Sequence, residues 1–506
     1  MGNGARQETA ETPGLRMSTA GGRWVLAATV LGSGMAALDG TVVGIALPAI
    51  GRNFHAGVTT VQWVVDAYTL TLAGLLLLGG TLGDSYGRRK TFRIGVLWFA
   101  GASLLCGLAP DAATLIVARA LQGVGGALLT PGSLAILQGS FAEEDRAAAI
   151  GAWSGLGGIA TAIGPFLGGW LISAVSWRLV FLINLPVAVA VLVISARHVP
   201  ETKAPGPAPR LDIPGAACIS GALAGITYGL IAASSDGWDS ASVLAPLAAG
   251  ALLLGLFVLV ENREQQPMLP LGVFRSRQLS AANAVTFVMY AALGGLLFLL
   301  PVVLEVVHGY SPMEAGLSLL PVTVIMLVVS SRSGALAARI GPRLQMSVGP
   351  LVIAASFLLL TRISGSGDYL TAALPGIVAF GLGVAIMVAP LTATALSTVP
   401  AEHAGVASAL NNDVARAASL IAVAVLPAAA GITSDSYLHP AALAGDFKKA
   451  AMIAALFCAF GGALAAATIR NPPRATPHQP MTQGFHCALE APPLRADPGV
   501  DRAGSE

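Results

Sequence analysis

Three ionisable residues lie inside long apolar stretches of the sequence: Asp39, Asp66 and Arg119. A charged side chain inside a bilayer costs roughly 2.5–3.5 kcal/mol on insertion scales, so such residues usually face a cavity and a partner. Counted along their stretches at about 1.5 Å per residue, the three fall at a similar depth. Two carboxyls and one guanidinium at one level could bind and release a proton, because burial and a neighbouring arginine act on a carboxyl in opposite directions.

The same residues also have a structural interpretation. An Asp39–Arg119 pair could simply hold two apolar stretches together, and Asp66 could face a water-filled mouth. Asp413 and Arg416 stand three residues apart in a later stretch, so their side chains can satisfy each other on one helix face. Beside this structural interpretation, Asp413 is a further candidate for binding a proton or a substrate.

The composition indicates that these residues sit in membrane-spanning helices. Hydrophobic residues make up 55% of the chain and charged residues 11%, which is too little charge for a water-exposed surface. A stretch of about 20 apolar residues crosses the hydrocarbon core. The sequence predicts an all-α membrane protein with fourteen spans, in 24–47, 61–80, 92–109, 112–136, 148–172, 179–196, 213–233, 241–260, 281–304, 315–331, 345–362, 370–391, 404–429 and 449–469.

The basic residues predict the orientation of these spans. With the amino terminus in the cytoplasm, most lysines and arginines fall on the cytoplasmic side, as the positive-inside rule requires. An even number of spans then places both termini in the cytoplasm of a cell-membrane protein. The loops on the opposite side carry Arg52, Arg178, Arg362, Lys448 and Lys449.

An internal repeat predicts the domain organisation. GGTLGDSYGRRKT follows the second span and SGALAARIGPRLQ follows the tenth, with Gly-x-Leu, a second glycine and an arginine in register. This placement predicts two six-span halves separated by two extra spans. The expected divisions are a cytoplasmic tail at 1–22, a six-helix bundle at 23–199, a linker and two extra helices at 200–265, a six-helix bundle at 266–470, and a disordered cytoplasmic tail at 471–506.

The Gly80–Arg89 loop resembles the signature loop of the major facilitator superfamily. Other segments resemble its fourteen-span drug:proton antiporter branch: LDGTVVGIALPAI, IVARALQGVGGAL, AIGPFLGGWL, SWRLVFLINLP, HGYSPMEAGLSLLP and AGVASALNNDVARAAS. The resemblance covers roughly residues 24–470. It implies the major facilitator fold of two six-helix bundles plus two extra central helices, and a proton-coupled antiporter that exports small amphipathic compounds. A dedicated exporter of one metabolite, antibiotic or siderophore is the alternative.

The resemblance also implies two gating elements. The first is a charged latch between the halves, where the alternative interpretation is plain topogenic charge. The second is a rocking interface on the fifth span, where a Gly-Pro pair should break the helix and glycines allow close approach; ordinary glycine packing is the alternative. The residues are Gly80, Asp84, Gly87 and Arg88 in the latch, and Gly164, Pro165, Gly168 and Gly169 in the interface.

The sequence carries no signature of an enzyme. It contains no phosphate-cradling Gly-Lys loop, dinucleotide fingerprint, metalloprotease motif or nucleophile elbow. The four cysteines are scattered and predict neither a disulfide framework nor a metal site, and the net charge of +2 does not favour nucleic acid. We expect no cofactor and no nucleotide. The expected partners are a small-molecule substrate, protons and the lipid bilayer, and the expected state is a monomer.

Overall fold

The computed structural model describes residues 14–203, 211–364, 368–396, 404–433, 436 and 439–471. The predicted tail from 472 onward and the centre of the predicted linker, 204–210, lie outside the described residues. Fourteen helices in the described part are long and apolar enough to cross a membrane. The prediction of an all-α protein with fourteen spans is therefore confirmed.

Six helices form the first half and two more follow it. They are α1 (Ala20–Phe54), α2 (Val58–Tyr86), α3 (Arg88–Leu108), α4 (Ala112–Ser140), α5 (Glu143–Ala174), α6 (Leu179–Leu182 continued by Asn184–His198), α7 (Ile213–Asp236) and α8 (Ala241–Arg263). A 3₁₀ turn, Leu271–Arg275, leads into the second half.

The second half repeats the six-helix arrangement. Its helices are α9 (Arg277–Val306), α10 (Pro312–Ser318 continued by Leu320–Ile340), α11 (Pro342–Leu360), α12 (a π turn at Tyr369–Ala373 continued by Leu374–Leu396), α13 (Ala404–Ala430) and α14 (Pro440–Thr468). The extra helix α7 packs against α2 and α13, and α8 packs on α7.

The boundaries of several helices differ from the prediction. The predicted loop after the second span is a single residue, Gly87, whose φ of +115° is a backbone conformation that glycine adopts without strain. Pro165 was expected to break the fifth span, yet α5 runs through it as one helix. One proline removes one backbone hydrogen bond, which a 32-residue helix packed on both sides can sustain.

Helix α4 is held where it can present Arg119 to the interior of the first half. Asp111 caps its amino terminus by accepting a hydrogen bond from Thr114 N at 2.8 Å, and this bond holds the pKa of the Asp111 carboxyl below its usual value. One turn after Arg119, a Cβ on Gly123 would overlap the Thr71 hydroxyl. The glycine therefore lets α4 pack closely on α2.

Candidate functional site

The Asp39 carboxylate of α1 and the Arg119 guanidinium of α4 form a buried ion pair. Arg119 Nη1 lies 2.5 Å from Asp39 Oδ2, and their side chains are 1% and 0% exposed, respectively. Gln122, one turn along α4, donates from Nε2 to Asp39 Oδ1 at 2.8 Å and accepts from Arg119 Nη1 at 2.6 Å. The structure thus brings together the acid and the base that the sequence placed at one depth.

The ion pair extends into a network across the first half. Asn184 Nδ2 of α6 donates to Asp39 Oδ1 and to Ser103 Oγ of α3, each at 3.3 Å. Arg119 Nε donates to the Val64 carbonyl of α2 at 2.9 Å. Both carboxylate oxygens accept hydrogen bonds, so the charged form is well compensated. This geometry ties five helices of one half together.

Asp66 lies outside that network. Its side chain is 0% exposed, and neither carboxylate oxygen has a hydrogen-bond partner among the described residues. One turn away on α2, Gln62 donates from Nε2 to the carbonyls of Val423 at 2.7 Å and Ala424 at 3.4 Å, both on α13. Asp66 therefore sits where α2 of the first half meets α13 of the second, apart from the Asp39–Arg119 pair.

Asp413 on α13 is also buried at its carboxylate oxygens, and neither oxygen has a hydrogen-bond partner in the described part of the chain. The expectation that Asp413 and Arg416 satisfy each other is wrong: they form no hydrogen bond or ion pair. A spacing of three residues makes two side chains neighbours, but a bond also needs their rotamers to converge. The Arg416 guanidinium still attracts the Asp413 carboxylate through space, without a direct bond between them.

The predicted latch residues bind each other and their own half. Arg88 donates to Asp84 Oδ1 from Nε at 2.9 Å and lies 2.8 Å from it through Nη2. Its Nη1 donates to the Ala135 carbonyl of α4 at 3.0 Å. A Cβ on Gly80 would meet only Pro131 at 3.7 Å, which is ordinary contact. These contacts hold α2, α3 and α4 together at the end where α2 passes into α3.

The amino terminus of α3 begins with three basic residues, a placement that the helix dipole disfavours. Glu201, in the connection after α6, compensates for it. Its Oε1 accepts from Arg89 N at 2.9 Å and its Oε2 from Lys90 N at 3.2 Å, while Thr202 O accepts from Arg88 N at 2.9 Å. The connection toward the extra helices is therefore anchored on the latch.

The glycines of α5 bring it close to two neighbours. A Cβ on Gly164 would overlap the Thr41 hydroxyl, and one on Gly168 would lie 3.0 Å from Val42 Cγ1, both on α1. A Cβ on Gly169 would lie 2.5 Å from the Pro312 carbonyl oxygen, at the start of α10. Helix α5 therefore packs backbone to backbone against its own half and against the other half.

Three contacts between the halves share one end of the bundle, the end that carries the α1–α2 turn. They are the α5–α10 packing at Gly169, the Gln62–Val423 hydrogen bond, and an ion pair of 3.3 Å between Arg52 Nη2 of α1 and Glu305 Oε2 of α9. At the opposite end, Asp84 and Arg88 hold their own half together. The halves thus meet around the α1–α2 end.

Several residues of the site were not singled out from the sequence as candidates. Gln62 stands four residues before Asp66 in an apolar helix, a spacing that could have marked it as a partner. Ser103 and Glu201 left no such signal, because their partners are far away in the chain.

Among the described residues, no group of three or more His, Cys, Asp or Glu side chains could hold a metal ion, and Cys106, Cys218 and Cys458 are buried free thiols.

Two six-helix halves that meet at one end around buried acids define a multi-pass membrane protein with the architecture of a transporter. The sequence model described as Major Facilitator Superfamily matches residues 29–424. The chain belongs to this superfamily.

Curated relatives match most of the chain. It is 39% identical over 79% of its length to the tetracenomycin C resistance and export protein of Streptomyces glaucescens, of which the match covers 74%. It is 38% identical over 82% of its length to the puromycin resistance protein pur8 of Streptomyces alboniger, covering 83% of that protein. It is 36% identical over 82% of its length to the multidrug resistance protein Stp of Mycobacterium tuberculosis, covering 77%.

Solved structures with the same fold are distant in sequence. A bacterial homologue of the human lysosomal transporter Spinster, in an inward-facing and occupied conformation, has a TM-score of 0.64 at 16% identity and covers 89% of this chain and 98% of its own. A D-xylose–proton symporter has a TM-score of 0.62 at 14% identity, with coverage of 89% and 98%. At these identities the likeness shows the fold alone.

Proposed function

We propose that this protein exports small amphipathic organic compounds in exchange for protons. Its relatives are named for resistance to, or export of, antibiotics and multiple drugs. Proton coupling is general in this family, and the chain offers acids buried inside its spans that could bind the ion. The substrate class follows from a largely apolar interior with a few acids, which suits hydrophobic molecules and favours those carrying a positive charge.

The observation that carries this proposal is a pair of buried acids whose carboxyl oxygens have no hydrogen-bond partner among the described residues. Asp66 on α2 and Asp413 on α13 belong to different halves, and the two helices pack on each other. A buried ionised carboxylate without a hydrogen bond is unfavourable, so Asp66 is best accommodated protonated, and at Asp413 the same burial acts against the attraction of Arg416. A conformational change that opens the contact between the halves would admit water and release the protons.

The orientation of the protein in the membrane relates these buried acids to a transport cycle. With both termini in the cytoplasm of a cell-membrane protein, the α1–α2 end faces outward, and halves that meet there form an inward-facing state. Alternating access then lets substrate and proton compete for the carboxyls, each favouring release of the other. The α5 face of Gly164, Pro165, Gly168 and Gly169 serves as the rocking surface, since it contacts both halves.

The remaining candidates have supporting roles. Asp39 and Arg119 keep the first half rigid, so that it moves as one body. The latch of Gly80, Asp84, Gly87 and Arg88 would engage the second half when the outer end opens. A monomer suffices for this cycle, and it needs protons and substrate but no nucleotide.

Everted membrane vesicles test the function directly. In them the pump runs inward, so adding a substrate should dissipate an imposed inside-acid pH gradient, and a protonophore should stop accumulation. If accumulation continues in the presence of the protonophore but requires sodium, the coupling ion is sodium and not the proton. Uptake rather than extrusion in intact cells would overturn export.

A dedicated exporter of one compound is the second candidate function. The names of the relatives support both candidates. The relatives from Streptomyces glaucescens and Streptomyces alboniger are each named for a single antibiotic, whereas Stp is named for multidrug resistance. A transport panel across several compound classes in a pump-deficient bacterium distinguishes the two. Protection against one class alone indicates a dedicated exporter.

A further inference from the structure

Gln62 makes a hydrogen bond between the halves that the backbone of α13 requires. Pro427 lies inside α13 and has no N–H, so it cannot donate to the carbonyl four residues earlier, that of Val423. A buried carbonyl without a donor is unfavourable. Gln62 Nε2 of α2 supplies that donor at 2.7 Å, and the Gln62 side chain is 0% exposed.

The carbonyl oxygen of the same Gln62 side chain has no hydrogen-bond donor among the described residues. Gln62 Oε1 is buried without a hydrogen-bond partner among the described residues, as are both carboxyl oxygens of Asp66. The two side chains are four residues apart on α2, so they are neighbours on one helix face. Amide and carboxylate oxygens are both acceptors, and only a proton on Asp66 turns the pair into a donor and an acceptor.

We propose that Gln62 couples the protonation of Asp66 to the contact between the two halves. This rests on the proposed role of Asp66 as a proton carrier. Protonated Asp66 donates its O–H to Gln62 Oε1, and Gln62 Nε2 donates to Val423, so α2 and α13 are held together. When Asp66 releases its proton, the carboxylate attracts the amide NH₂, the Val423 carbonyl loses its donor, and the contact weakens.

The other charged groups on the helices around α2 are paired with each other or lie away from the Gln62–Val423 hydrogen bond. The helices packed on α2 are α1, α3, α4, α7 and α13. Asp39 and Arg119, on α1 and α4, bind each other, and Arg52 of α1 is paired with Glu305 of α9. The basic residues of α3 and the acids of α7 lie at helix ends. On α13, Arg416 and Asp413 lie two or more turns from Val423 along the helix.

The sense of the switch fits antiport. Protonation from outside would close the α1–α2 end and favour the inward-facing state. Release of the proton into the cytoplasm would remove the Gln62–Val423 bond and favour reopening to the outside. One amide side chain would thus link the proton gradient to the alternation of the two halves.

A distance measurement in the purified full-length protein tests this without any substrate. Spin labels are placed on cysteines at Thr59 and Ala429, which lie on α2 and α13 at the α1–α2 end, after replacing the native cysteines Cys106, Cys218, Cys458 and Cys487. Pulsed electron paramagnetic resonance then reports the separation of the labels across a pH series. In the otherwise unmodified protein, the short distance should dominate at low pH and a longer one should gain population as pH rises.

Three variants give the expected outcomes. Asp66→Asn carries a permanent amide donor and should keep the short distance at every pH. Gln62→Leu should abolish the pH-dependent shift, and adding Pro427→Ala should give Val423 an in-helix donor, so that the double variant folds and still shows no shift. Gln345→Leu is the matched control, because Gln345 is a buried glutamine that bonds Ser333 within the second half; it should respond like the parent.

Two results with the variants would overturn the proposal. One is a parental pH response in the Gln62→Leu/Pro427→Ala protein, and the other is an equal loss in the Gln345→Leu control. Failure of the proposed function is a separate result: vesicle transport without proton dependence contradicts antiport whatever the label distances do. Proton-driven export with an unchanged label distance at every pH would instead overturn the coupling proposal alone.

Discussion

Asp39 and Asp66 are both fully buried aspartates on neighbouring helices, yet their surroundings are opposite. Asp39 accepts hydrogen bonds from Arg119, Gln122 and Asn184, all within the first half. Asp66 has no hydrogen-bond partner among the described residues and lies where the halves meet. A buried charge that is fully compensated resists change, whereas an acid without partners is stable only with a proton and therefore responds to one.

The difference teaches which part of the molecule can move. The first half carries its own polar network and is suited to move as a rigid body. Where α2 meets α13, the Gln62 amide of the first half bonds a carbonyl of the second half that Pro427 leaves without its in-helix donor. Four predictions test this contrast, ordered by their expected effect on the free energy of unfolding.

Arg119→Ala should cause the largest loss of stability, about 3–5 kcal/mol, because it leaves the Asp39 charge buried and uncompensated. Thermal unfolding of the detergent-purified protein measures it. Arg16→Ala is the control, since Arg16 pairs with Glu144 at the surface and should cost about 0–1 kcal/mol. Equal melting shifts for the two variants would mean that the network does not hold the first half together.

Gly87→Val should cost about 1–3 kcal/mol, because a β-branched residue is strained at the positive φ of the α2–α3 joint. Its Cβ would also lie 2.8 Å from Glu201 Oε1. Transport should slow more than equilibrium substrate binding weakens. The control is Gly151→Ala on α5, where a Cβ meets nothing within 4 Å. A loss of binding at unchanged transport rate would contradict a role for the joint in gating.

Glu201→Gln should cost about 0.3–1 kcal/mol, because it removes a negative charge from the amino terminus of α3. The loss should shrink at high salt, which screens such interactions. Lys203→Gln, two residues along at an exposed position, is the control and should leave the melting temperature unchanged. A larger effect in the control would rule out the capping role of Glu201.

Asp66→Asn should leave the free energy of unfolding nearly unchanged, because the Asn amide can donate a hydrogen bond to Gln62 Oε1 as the protonated acid would. Proton-driven accumulation in vesicles should nevertheless be lost. The same substitution at Asp39 is the matched comparison and should be the less stable protein, since it weakens the bonds from Arg119. Retained proton-driven accumulation in Asp66→Asn would remove Asp66 from the coupling site.

Much of the fold could be predicted from the sequence, because bilayer thickness and hydropathy leave few alternatives for long apolar stretches. The fourteen spans and the Asp39–Arg119 proximity followed from spacing and depth. The ends of helices were less predictable. The latch segment stays helical on both sides of Gly87, because Asp84 and Glu201 satisfy its polar groups. Packing against two neighbours keeps α5 helical through Pro165.

By itself, the sequence determined that the chain spans a membrane, that its halves repeat, and that Asp39, Asp66, Arg119 and Asp413 lie buried in the spans. Depth along a helix is a one-dimensional quantity that residue counting supplies. Only the tertiary structure decided which buried groups meet. Hydrogen bonds depend on the rotation of each helix about its axis and on which helices adjoin, and these follow from packing between residues far apart in the chain. That is why Asp39 has three partners while Asp66, at a similar depth, lies instead beside Gln62 at the contact between the halves.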